Sequence, residues 1–222
     1  PEYRPHVTFL DVKMAGLGFS ALGKIACPTI NLYHAGARRL DNARFMPVAV
    51  TTGGGAPDAV TVTYADFTLA AAPSTLFLPM TSPDAEVVLE NAGAIAAGNI
   101  AVLSNPGSSD PCTVISVTSV DTNPPGTIRI GHAASGPFNP PNVASTFSNP
   151  VAYPMSASIN RADGLTWTTY RVSPANRLEL VNNLTGEVQL LADNTVGLKV
   201  QYGVTAAPGT TTITDWVDAT DA

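Results

Sequence analysis

Ala59-Val60-Thr61-Val62-Thr63-Tyr64 is the stretch that decides the fold class. β-Branched and aromatic residues alternate through it, which is the signal of a pleated, half-buried strand. Working outward, the same signal recurs at Glu86 to Glu90, Asn99 to Leu103, Cys112 to Val120 and Thr127 to Ile130. Turn chemistry separates these runs at Gly53-Gly54-Gly55, Asn105-Pro106-Gly107 and Pro124-Pro125-Gly126. Farther on, Ala152 to Ile159, Gly164 to Val172 and Asn176 to Val181 read as an antiparallel series, and Leu198 to Val204 and Thr211 to Val217 flank Ala207-Pro208-Gly209. No unit of about 20–50 residues repeats, which argues against solenoids and propellers.

Two segments break the β pattern. Pro5 to Gly16 spaces Val7, Leu10 and Met14 at i, i+3 and i+7, with Pro early and Gly last, and so predicts a short helix. A helix this short is marginal in water unless it packs on a body or continues a longer helix. Some of Val7, Phe9, Leu10, Val12 and Met14 are therefore expected to pack against the sheet. Gly136 to Pro154 holds five prolines and can be neither a helix nor a central strand. It is expected as a surface excursion or a hinge between two β lobes. The resulting plan is a single α+β, β-rich domain over 1–222: helix 1–16, irregular loop 17–44 with helical pieces, first β region 45–135, Pro-rich excursion 136–154 and second β region 155–222.

The chain has 222 residues and is 45% hydrophobic, so it is long enough to bury its own core without a metal. Its net charge of −6 offers phosphate backbones and anionic lipids no basic surface, and nucleic acid is not expected as a partner. The Ala-rich run from Leu89 to Leu103 is interrupted by Glu90, Asn91, Gly93, Gly98 and Asn99, and no stretch reaches the roughly 18 apolar residues of a membrane span. Cys27 and Cys112 fit one disulfide in an oxidising compartment; two buried free thiols are the alternative.

Sites of chemistry are sparse. His6, His34 and His132 lie in no metal-binding spacing, and the cysteines form no Cys-x-x-Cys. No Gly-x-Ser-x-Gly elbow occurs. Gly16 to Lys24 is Gly-rich but has neither phosphate-loop nor dinucleotide spacing, so a turn after the helix is the plainer reading. Asp215, Asp218 and Asp221 lack the pattern of a calcium loop. Asn183-Leu184-Thr185 matches a glycosylation sequon short enough to arise by chance. Trp167 and Trp216 could form a carbohydrate platform, although tryptophans on alternating strands more often serve core or sheet faces. No catalytic residue, metal or cofactor is expected, and an enzyme is the weakest reading.

Four landmarks, in order, carry a family resemblance. They are Asp11-Val12-Lys13-Met14-Ala15-Gly16, Asp58 to Tyr64, Gly98 to Ser104 leading into Cys112 to Thr118, and a C-terminal series. That series runs from Trp167 to Val172 through Asn176 to Leu180 and Leu190 to Val204 to Asp215-Trp216-Val217. Together they resemble the PilW family of type IV pilus minor pilins. The family's N-terminal apolar helix with its processing site is absent here, and members usually continue past the final Trp, so both ends are expected to be trimmed.

The resemblance implies a pilin-like headpiece, with the helix remnant packed on antiparallel sheet, that helps initiate or cap pilus assembly. It implies other minor pilins and a tip adhesin as partners, and membrane contact only through the absent helix. It places the protein in the bacterial periplasm and inner membrane before assembly and at the pilus tip afterwards. A type II secretion pseudopilin of the J type is the nearest alternative. An exported adhesin or carbohydrate-binding module is the alternative from a different class.

Overall fold

The computed structural model describes residues 27–44, 48–64, 73–91, 93–123, 126–205 and 213–218. At its centre lie β7 (Ile100–Ser104) and β8 (Cys112–Ser116), paired antiparallel. Their sequences, Ile-Ala-Val-Leu-Ser and Cys-Thr-Val-Ile-Ser, are nearly unbroken runs of apolar and small residues because both faces are covered; only Ile100 is partly exposed. Ala101, Leu103, Ile115 and Val117 point into one core, with Tyr153, Leu89, Ile130 and Ile159. Val102, Cys112 and Val114 point into a second, with Ile30, Leu32, Phe138 and Leu184.

Seven further strands extend this sheet. They are β1 (Thr29–His34), β2 (Ala37–Arg44), β5 (Ser74–Leu78), β6 (Val87–Leu89), β9 (Ser119–Asp121), β10 (Ile128–Gly131) and β11 (Ser158–Arg161), in the spatial order β2-β1-β8-β7-β11-β5-β6-β10-β9. Every pairing in it is antiparallel except β1 with β8. Beside that parallel pair, Cys27 and Cys112 form a disulfide with Cα atoms 5.4 Å apart.

A five-stranded sheet, ordered β14-β13-β12-β4-β3, comprises β3 (Val48–Thr51), β4 (Ala59–Tyr64), β12 (Thr166–Val172), β13 (Leu178–Asn182) and β14 (Val188–Ala192). Leu165 and Trp167, at the start of β12, and Leu184, in the β13–β14 turn, pack into the second core of the large sheet. β15 (Gln201–Thr205) and β16 (Ile213–Asp218) form a separate hairpin.

The expected α+β headpiece, with a helix packed on sheet, is corrected: the described residues are almost entirely β. Their only helix is the single turn α1 (Val143–Thr146). The physical reason is that the large sheet's faces are already covered by side chains from strands and loops, among them Trp167, Leu184, Phe138 and Tyr153. The segment 1–16, with Val7, Phe9, Leu10, Val12 and Met14, lies outside the described residues.

Residues 29–44, expected within an irregular loop, form the β1–β2 hairpin instead. Its two-residue turn places Ala35 at φ 47° and Gly36 at φ 89°. That geometry usually announces itself as Asn-Gly or Asp-Gly, and Ala-Gly hid it. β2, Ala-Arg-Arg-Leu-Asp-Asn-Ala-Arg, also lacks apolar alternation.

The sheets do not follow the expected first and second β regions either. β3 and β4 pair into the sheet of β12 to β14, while β11 inserts between β7 and β5. The Pro-rich segment is a cover rather than an excursion, since it buries Phe138, Asn139, Val143, Phe147, Val151 and Tyr153. It is pinned by Asp41, which accepts from the Ser148 N–H (2.8 Å) and hydroxyl (2.9 Å), and by Asp84, which accepts from the Val143 N–H at 2.6 Å. The Ser148 amide is the main cause holding the Asp41 carboxyl below its ordinary pKa.

Candidate interaction surface

The residues singled out for chemistry do not converge. His34 Nδ1 lies 3.1 Å from the Leu184 carbonyl, with its ring against Phe138 at a centroid distance of 4.8 Å. His132 Nε2 lies 2.7 Å from the Ala85 carbonyl on the far side of the large sheet. Among the described residues no three of His, Cys, Asp and Glu gather where they could hold a metal ion. Asp218 accepts from the Gln201 side chain at 3.1 Å, Asp215 accepts from the Trp216 N–H at 2.8 Å, and Asp221 lies outside the described residues. His6 and Gly16 to Lys24 also lie outside them. In the sequon, the Asn183 amide donates to the Thr169 hydroxyl at 2.8 Å, so its nitrogen already has a partner in the fold.

The two tryptophans part company. Trp167 packs on the second core, as a sheet-face residue should. Trp216 is 53% exposed on β16, and Ile213 beside it is exposed too. Ile213 lies over Gly203, where any Cβ would come within 2.8 Å of its Cδ1. A lone two-stranded hairpin is at best marginal in water, so something must hold this one. Asp58 does so at its base. Buried to 1% exposure, its carboxylate accepts from the Val200 N–H (3.0 Å) and the Gly53 N–H (3.1 Å), and Lys199 Nζ lies 3.6 Å away. The Asp58 amide donates to the Leu198 carbonyl at 2.8 Å. These contacts, the Val200 amide foremost, hold the Asp58 carboxyl below its ordinary pKa.

Another exposed apolar feature is β14, the outer strand of the five-stranded sheet. All five of its side chains are exposed, including Val188 (51%), Leu190 (48%) and Leu191 (41%). It pairs only with β13, and an irregularity opposite Leu178 and Glu179 leaves Leu191 as an unpaired extra residue. The Asn182 N–H donates to the Glu187 carbonyl at 2.9 Å. By the alternation of an antiparallel ladder, Gln189 then faces β13 with its backbone groups while Val188 and Leu190 turn theirs outward.

The other edges are treated differently. β9 has three residues. β2 carries Arg38, Arg39 and Asp41 and is tied to the Pro-rich segment through Asp41 and through Arg38, whose guanidinium donates to the Thr146 carbonyl at 3.1 Å. β3 is half-buried. Sequence reading missed β14, although Gly186 followed by Val188-Gln189-Leu190 has the turn and the alternation of a strand. No family model, curated protein or solved structure matches this chain.

Proposed function

We propose that the protein is a binding subunit of an exported assembly, and specifically a minor pilin that joins other minor pilins to initiate or cap a type IV pilus. The observation that carries the binding reading is the apolar surface left open on β14 and on the β15–β16 hairpin. Contiguous apolar surface left exposed on a folded protein is a mark of interaction sites. The disulfide supports an oxidising location, periplasmic and then extracellular. The pilin identity rests on the order of the sequence landmarks, whose central and C-terminal members fall on β4, β7, β8, β12, β13, β15 and β16. Assembly would proceed through complementary β surfaces.

The test is co-purification of the full-length gene product with the minor pilins of its own operon, alongside pilus counts after gene deletion. Recovery of sister pilins and loss of pili are expected. Recovery of none of them with unchanged pili overturns the reading. The exposure of Trp216 favours a second reading, an exported carbohydrate-binding module. On that reading a glycan array gives binding that Trp216→Ala removes and Trp167→Phe keeps.

A further inference from the structure

We infer that β14 is an acceptor edge, completed by an extended segment of another polypeptide that carries Lys or Arg on both sides of an apolar, alternating centre. The inference names the partner chemistry of the binding reading above and rests on it.

Three observations converge. First, Val188 and Leu190 present unpaired backbone donors and acceptors in a plane, which is what strand addition uses for affinity. Second, their side chains lie on one face of the sheet, because they pair with Val181 and Glu179 of β13. Both stay open there, so an incoming strand meets apolar surface as well as ladder. Third, the molecule blunts its β2 edge with charge and its β9 edge by brevity, the usual protections against unwanted pairing. β14, with five residues and no charge among them, has neither protection, and unlike the half-buried β3 it is exposed along its whole length.

Charge selects the occupant. Glu187 and Asp193 bracket the strand. Asp193 has Arg177 at 3.2 Å, whereas the contact found for the Glu187 carboxylate is the Thr185 hydroxyl at 3.3 Å. A second copy paired antiparallel over all five residues would set Glu187 opposite Asp193 at both ends, and like charges directly opposed across strands are unfavourable. The chain's net charge of −6 opposes self-association further. A partner strand with basic flanks meets neither objection.

The probe is a fluorescent synthetic peptide alternating Val and Thr between paired lysines, titrated into the intact disulfide-bonded protein. Three comparison peptides accompany it: one with Glu for Lys, one N-methylated at alternate residues, and one scrambled. Saturable binding of the Lys peptide is expected. About tenfold or greater weakening is expected for the Glu and N-methyl peptides and for the Leu190→Pro protein, which lacks one outward N–H. Proline is tolerated where an edge N–H faces solvent, so Leu190→Pro should melt like the wild type. Should it misfold, Leu190→Lys and the N-methyl peptide decide the point instead. Equal binding of all four peptides overturns the inference, as does no binding of the Lys peptide. A concentration-dependent dimer abolished by Leu190→Lys also overturns it, in favour of a second copy. Recovery of sister pilins with no response to the Lys peptide sinks the edge alone and leaves the subunit reading standing.

Discussion

Asn139 does with a side chain what a neighbouring strand does with its backbone. Its Oδ1 accepts from the Ser116 N–H at 2.8 Å, and its Nδ2 donates to the Ser116 carbonyl and to the Ala133 carbonyl, each at 2.8 Å. Asn139→Ala strands these buried groups, and a loss of about 2–4 kcal/mol is expected in urea unfolding. Asn139→Asp is the sharper comparison, because it keeps the acceptor and removes both donations. Gly136 is part of the same seat: a Cβ there would lie 2.5 Å from Ser116 Cβ and 2.7 Å from Asn139 Nδ2. Gly136→Ala should therefore destabilise through the same contact, by about 1–3 kcal/mol as overpacking commonly does. None of this was legible in Phe138-Asn139-Pro140-Pro141, which reads as a turn. The partner that gives Asn139 its role lies 23 residues away.

At the scale of elements, the β15–β16 hairpin is attached through Asp58, and its attachment should depend on pH. Because the folded carboxyl titrates below its ordinary value, its contribution is fully present above about pH 4, the unfolded pKa, and is lost as pH falls through the folded pKa. Wild-type stability should therefore drop more than that of Asp58→Asn as pH falls from above the unfolded pKa of about 4 through the lower folded one. Hydrogen exchange at 201–205 and 213–218 should quicken in Asp58→Ala even at neutral pH. An Asp58→Asn protein with the full acid sensitivity of the wild type would show that other carboxylates, such as Asp41, dominate. Strands such as β4, β7, β8 and β12 were readable because burial and pleat write apolar alternation or apolar runs directly into the chain. β2 was not, since that edge is charged for protection, whereas β14 carried the alternation of a strand after Gly186 and was overlooked.

For the whole molecule, the disulfide joins residues 85 apart and ties the start of the described chain to the middle of the large sheet. Closing such a loop restricts the unfolded chain by about 4–5 kcal/mol in the entropy model. Reduction should accordingly lower the urea midpoint substantially, and intact-mass measurement without reductant should show no free thiol. Two titratable thiols in the untreated protein would refute the bond. The β content of the molecule was legible, but the assignment of strands to sheets was not. Local pattern identifies a strand, whereas its neighbour is chosen by distant packing: β4 lies across from β12 although Thr61 and Thr169, which pair between them, are 108 residues apart in the chain. The Pro-rich segment was misjudged for a related reason. Proline excludes regular structure, yet it does not keep a chain at the surface.

β11 enters the large sheet last in chain order, and it enters in the middle. A polypeptide delivered from its N-terminus thus carries two half-sheets, β2-β1-β8-β7 and β5-β6-β10-β9, whose facing edges wait for residues 158–161. Until that keystone arrives each half has an edge without its neighbour, so the nascent chain should stay open to a chaperone. Chains stalled at increasing lengths should remain sensitive to protease until residue 161 is clear, then gain protection across both halves together. Stepwise protection, with β1 to β8 resistant before β11 emerges, would show that the halves close independently.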